Sequence, residues 1–138
     1  MTWLAPQRGA IPAPLATPVS RPYWEGIDRH ELLFQRCDEC RGTTHTPAMV
    51  CAQCGSRSMT WEPSSGHGQL YSWTTVFRPQ TPEFAVPYAP VIVDVEEGWQ
   101  MLSCLIGCDH EAAAVGLPVA VEFHTTGGGV TLPYFRPR

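Results

Sequence analysis

Cys37-Asp38-Glu39-Cys40 and, after ten intervening residues, Cys51-Ala52-Gln53-Cys54 are the residues that decide this fold. Each Cys-x2-Cys step turns two thiols toward the inside of a tight knuckle. Two knuckles brought together place four thiolates at the corners of a tetrahedron, the closed sphere that structural zinc takes. Cys37, Cys40, Cys51 and Cys54 are therefore the predicted metal ligands, with Zn2+ as the cofactor of a zinc ribbon. Sulfur fills all four positions and leaves none for water, so the metal is expected to fold the chain rather than hydrolyse anything. Two other uses of these cysteines stay open. Paired disulfides need an oxidising compartment, and residues 1–30 lack the charged start, apolar run and small-residue cleavage site of a secretory leader. Iron, as in a rubredoxin-type redox centre, takes the same four-thiolate geometry, which spacing alone does not separate from zinc.

Leu32 to Arg36 reads as a strand entering the first knuckle and Met59 to Glu62 as one leaving the second, together the ribbon hairpin. Upstream, Ser20 is placed to cap a helix from Pro22 to about His30, with Tyr23, Trp24 and Ile27 on one face. Residues 1–19 are rich in Pro and Ala, carry almost no charge and show no periodicity. They predict an extended or disordered arm that lies along a partner.

From Gly66-His67-Gly68 onward the pattern becomes β. Leu70–Phe77, Ala89–Glu96, Trp99–Ile106, Pro118–His124 and Val130–Phe135 predict five strands, with a short helix from Asp109 to Gly116 between the third and fourth. That order is the order of an OB-fold, a small Greek-key barrel. Glu97-Gly98 and Gly127-Gly128-Gly129 fall where hairpin turns are needed. The expected chain is mainly β: an arm (1–19), an N-terminal helix with a rubredoxin-like zinc ribbon (20–65), and a five-stranded OB-fold barrel (66–138).

Charge narrows the function classes. The net charge is −4, and residues 66–135 hold Arg78 as their sole Arg or Lys against Glu83, Asp94, Glu96, Glu97, Asp109, Glu111 and Glu122. A nucleic acid is repelled by such a barrel, which disfavours the reading as a nucleic-acid-binding ribbon and OB module. No stretch approaches the roughly 20 apolar residues of a membrane span, and the expected location is the cytoplasm.

Outside the ribbon the reactive groups are His67, His110, His124, Cys104 and Cys108, and they form no recognisable constellation. Cys104 has the apolar neighbours of a core residue, and Cys108 beside Asp109 and His110 is too close in sequence for the side chains to converge. No nucleophile elbow, phosphate-binding glycine loop or paired metal-binding histidines occur, so no catalytic residue is assigned. Residues 78–87 form a long loop between the first two barrel strands, where OB-folds bind ligands, and Phe77, Arg78 and Phe84 are the candidate ligand contacts. Aromatic residues near both ends, Tyr23, Trp24, Tyr134 and Phe135, are the candidate anchors for a partner; the other reading makes them core.

In order, Tyr23-Trp24-Glu25-Gly26, Gln35-Arg36-Cys37-x2-Cys40, Pro47, Cys51-x2-Cys54-Gly55, Gly66-x-Gly68, Tyr71-Ser72-Trp73-Thr74, Pro87-Tyr88, Glu96-Glu97-Gly98, Gly116-Leu117-Pro118-Val119 and Leu132-Pro133-Tyr134-Phe135-Arg136-Pro137 resemble one family. It is the acyl-CoA-associated OB-fold family with a rubredoxin-like zinc ribbon, long known as a domain of unknown function. The likeness covers residues 20–137. It departs at Arg41, where a knuckle often has glycine, with Gly42 one place later. The resemblance implies a non-catalytic accessory subunit in a hetero-oligomer. Its expected partner is a thiolase-superfamily enzyme, first of all a lipid-transfer-protein-like steroid side-chain aldolase, or else a thiolase, an acyltransferase or a hotdog-fold enoyl-CoA hydratase. It implies a CoA thioester as ligand of the complex. The scarcity of bases on the barrel then leaves the grip on the CoA phosphates to the partner.

Overall fold

The computed structural model describes residues 2–138. One helix, α1 (Arg21–Asp28), precedes a small sheet of β1 (Leu33–Cys37), β2 (Thr43–Thr44) and β3 (Met59–Pro63) in the order β2-β1-β3. Then come β4 (His67–Trp73), β5 (Ala89–Val95), β6 (Trp99–Leu105), β7 (Pro118–Thr125) and β8 (Thr131–Pro137). They close a barrel in the order β4-β5-β6-β8-β7, the five-stranded OB arrangement expected. Closure is made by β4 against β7 and by a parallel step from β6 to β8 at Leu105 and Phe135.

Alternation places Ala89, Val91, Val93 and Val95 of β5 inward, facing Trp99, Met101 and Leu105 of β6 and Phe135 of β8. The barrel is pulled tight at Gly68, where a Cβ would lie 2.4 Å from the Asp94 carbonyl oxygen. Only glycine lets β4 pass that close to β5 while still reaching β7. At the β5–β6 turn Gly98 takes φ +95°, the left-handed conformation that the hairpin requires.

Three local expectations are corrected. Ser20 does not cap α1 with its side chain; its Oγ accepts from the Thr17 N–H at 2.9 Å instead. The helix stops at Asp28 because His30 takes φ +61° and the Glu31 N–H reaches back to the Gly26 carbonyl at 2.8 Å, a Schellman ending. The helix expected over 109–116 is one 3-10 turn, His110–Ala112, capped by Asp109 accepting from the Glu111 N–H. Strand β4 claims the rest: Leu70 donates to the Leu117 carbonyl and accepts from Gly116 N–H, and these tertiary bonds override the helix propensity of the alanines.

The start of the arm is held against its own barrel. Leu4 is fully buried and exchanges backbone hydrogen bonds with Gly107 and Cys108. The Gln7 amide pairs with both backbone groups of Ala85, and the Thr2 hydroxyl bonds the Asp109 carboxylate.

Candidate metal centre and apolar cleft

The two knuckles repeat one backbone design. The Arg41 N–H donates to the Cys37 carbonyl at 3.0 Å and the Gly55 N–H to the Cys51 carbonyl at 2.9 Å. Each chain then returns, Cys37 N–H to Gly42 and Cys51 N–H to Ser56, both at 2.8 Å. This design turns backbone N–H groups onto sulfur: Cys40 onto Cys37 at 3.5 Å, Gly42 onto Cys40 at 3.4 Å, Gln53 onto Cys51 at 3.3 Å. The residue after the second cysteine of each knuckle needs a positive φ, +63° at Arg41 and +77° at Gly55. Arg41 thus occupies a backbone position suited to glycine, at a cost of about 1–2 kcal/mol, partly offset by its ion pair with Glu62 at 3.6 Å. Arg41→Gly is expected to keep full metal content and to raise stability by up to about 1 kcal/mol, read as a higher thermal midpoint.

The four sulfurs lie within 4.8 Å of one another, with Cys37–Cys54 and Cys40–Cys51 each at 3.6 Å. Zinc–sulfur bonds of about 2.3 Å give a tetrahedron with edges of about 3.8 Å, so the cluster fits. The Cys40 N–H holds the Cys37 thiol below the ordinary range, and the Cys54 N–H brings Cys51 down to about 6. Cys54, although the Ser56 N–H favours its thiolate, is driven up to about 12 by the neighbouring sulfurs, Cys37 first, and by desolvation. Four thiolates this close repel one another until a doubly charged cation joins them. Cys37 and Cys51 face the protein and Cys40 and Cys54 face solvent.

The remaining reactive groups are dispersed. Burial pushes the Cys104 thiol up to about 11, and burial followed by the Asp109 charge raises Cys108. His124 is paired with Glu122 at 2.7 Å, a carboxylate that also holds Arg136 at 3.0 Å. The His110 ring meets Phe77 edge-on, with centroids 5.2 Å apart.

Beside the ribbon lies a cleft of about 750 Å³. Its floor is the outer face of β5, β6 and β8; its walls are the arm at Ile11, α1 at Tyr23 and Trp24, the ribbon loop at His45–Pro47, and the 74–88 loop at Phe84 and Tyr88. The cleft brings together residues that the sequence reading assigned to two different tasks, Tyr23, Trp24 and Tyr134 with Phe84. Phe77 and Arg78 are not part of it; Phe77 is 58% exposed elsewhere on the loop. As exposed anchors, three of the four aromatics are corrected. Phe135 is 0% exposed on the inward face of β8, Tyr134 is 3% exposed beneath the arm and accepts the Gln7 N–H, and Tyr23 is 6% exposed between Trp24 and His45. Trp24 alone is half-buried. Sequence reasoning missed His45 and Leu102. The signal for Leu102 is an apolar residue at an outward position of β6, where it is 70% exposed.

Among the described residues no helix is long and apolar enough to cross a membrane. Residues 24–60 match the family profile described as "ChsH2, rubredoxin-like zinc ribbon domain" and residues 61–124 that described as "ChsH2, C-terminal OB-fold domain". The 3-oxo-4,17-pregnadiene-20-carboxyl-CoA hydratase alpha subunit of Mycobacterium tuberculosis is 33% identical over 73% of this chain and 32% of its own length. A DUF35 domain-containing scaffold protein of Methanocaldococcus jannaschii is 30% identical over 72% of this chain and 73% of its own length. The chain spans about a third of the length of the curated hydratase alpha subunits it matches. A solved structure, "Ltp2-ChsH2(DUF35) aldolase", superposes with a TM-score of 0.83 at 30% identity, over 91% of this chain and 98% of the other. This chain therefore belongs to the ChsH2/DUF35 family, in which a rubredoxin-like zinc ribbon is joined to an OB-fold domain.

Proposed function

We propose that this protein is a non-catalytic accessory subunit that docks on a thiolase-superfamily, lipid-transfer-protein-like enzyme. In that complex it supports retro-aldol cleavage of a steroid side-chain acyl-CoA. The observation that carries the reading is the superposition on a chain of the solved "Ltp2-ChsH2(DUF35) aldolase" across nearly the whole of both chains. The dispersed, raised or paired reactive groups of this chain fit a subunit whose partner supplies the catalytic groups. Its acidic barrel fits a partner that also grips the CoA phosphates. Zn2+ held by Cys37, Cys40, Cys51 and Cys54 supplies a cross-link and no open coordination position. The proposed site of action is the cytoplasm.

The hydratase alpha subunits among the relatives favour a second reading, in which the partner is an enoyl-CoA hydratase. Co-expression with each partner class separates them. The expected result is stable co-purification with a thiolase-like protein, carbon–carbon cleavage of a β-hydroxyacyl-CoA by the complex to a carbonyl compound and a shorter acyl-CoA, and no turnover by the isolated chain. Acyl-CoA turnover by the purified chain alone overturns the accessory role, and capture by a hotdog-fold hydratase but by no thiolase-like protein favours the second reading.

A further inference from the structure

Four separate segments wall the 750 Å³ cleft, and its size falls in the range of about 300–1,000 Å³ typical of small-molecule sites. A protein partner instead engages a broader, flatter patch of about 800 Å² with a polar rim. None of the lining side chains is an acid, a lysine or an arginine. His45, which also lines it, stays neutral because burial lowers its pKa to about 4. A phosphate finds no positive charge there.

Polar capacity is sparse. The Ser103 hydroxyl is committed to the Pro133 carbonyl at 3.0 Å. The Tyr134 hydroxyl accepts the Gln7 N–H at 3.1 Å, and the His45 ring is held between Tyr23 and Trp99, with centroids 5.5 and 4.7 Å away. An apolar recess edged by neutral polar groups, Tyr23, His45, Tyr88 and Tyr134 among them, matches a hydrocarbon body bearing a neutral oxygen function.

We infer that the cleft is a binding site for a neutral, largely hydrocarbon small molecule, a fused-ring system or an acyl chain carrying a keto or hydroxyl oxygen, held on the outer face of β5, β6 and β8. This site stands on the cleft alone and does not depend on the accessory role. If both hold, the cleft receives the apolar body of the acyl group while the CoA moiety lies elsewhere.

Titration of the zinc-loaded full-length chain by calorimetry tests it, with progesterone as the fused-ring probe, 1-dodecanol as the chain probe and free CoA as the charged one. The expected result is saturable one-to-one binding of at least one neutral probe and none of CoA; which neutral probe binds separates ring from chain. Leu102→Asp, at an exposed position on the cleft floor, is expected to weaken that binding at least tenfold. Val115→Asp, exposed and outside the cleft, is expected to leave it unchanged. Absence of saturable binding, binding indifferent to Leu102→Asp, or CoA binding lost in Leu102→Asp each overturns the site. Loss of partner capture in Leu102→Asp, with no probe bound by the wild-type chain, also overturns it and makes the cleft a protein-docking groove. The accessory role fails separately, if the unaltered chain captures no partner.

Discussion

Cys37→Ser is expected to unfold the ribbon and to bring most of the barrel's outer face down with it. Structural zinc contributes on the order of 10–16 kcal/mol of apparent folding energy in small ribbons, against a total stability of about 5–15 kcal/mol for a domain. Serine offers a hard oxygen where the cluster needs a thiolate, and Cys37 is one of the two ligands that face the protein. The ribbon is not an appendage. Phe34 of β1 stacks on Trp99 of β6 with ring centroids 5.7 Å apart, Leu32 and Phe34 belong to the same buried cluster as the barrel valines, and Thr43 donates to the Gly98 carbonyl at 2.9 Å. Loss of the metal therefore exposes part of the shared core. Elemental analysis should find one zinc per wild-type chain and far less than one in the variant, with a collapse of the near-ultraviolet dichroism of Trp99. Well-folded wild-type protein with no bound metal, or with stoichiometric iron, overturns the zinc assignment.

The ribbon and the barrel were legible in the sequence because their signals are local. Cysteine spacing fixes the knuckles, and period-two alternation in Ala89–Val95 and Trp99–Leu105 fixes the strands that pair across the Glu97-Gly98 turn. Failures occur where a distant segment decides. The alanine run after Glu111 has helical propensity, but Leu70, 46–47 residues away in sequence, takes the backbone groups of Gly116 and Leu117 just beyond it. The leading arm looks featureless, yet Leu4 and Gln7 find partners near Cys108 and Ala85 that no pattern within residues 1–19 announces. The cleft is the extreme case. Ile11, Trp24, His45, Phe84 and Leu102 come from five stretches of chain, and only the folded barrel makes them neighbours.

Phe135→Ala and Trp24→Ala are expected to part company, although sequence reading grouped the two residues as one docking surface. Phe135 is fully buried, paired with Val121 on β7 and Leu105 on β6, at the point where β8 closes the barrel. Truncating a buried phenylalanine costs about 3–5 kcal/mol, the transfer energy of the ring plus the cavity it leaves. That is a large part of the stability of a domain this size, so Phe135→Ala should aggregate or melt at least about 10 °C lower. Trp24 is half-buried at the rim of the cleft, where its ring meets Tyr23 edge-on at 5.0 Å. Its removal uncovers Tyr23 without opening the barrel, so Trp24→Ala should stay soluble, retain its zinc and lose about 1–2 kcal/mol. Thermal denaturation with zinc analysis separates the outcomes. A Phe135→Ala chain as stable as wild type would mean that the barrel closes without that ring, and the β6–β8 junction described above would be wrong. A Trp24→Ala chain that fails to fold would place Trp24 in the core and leave the cleft without its α1 wall.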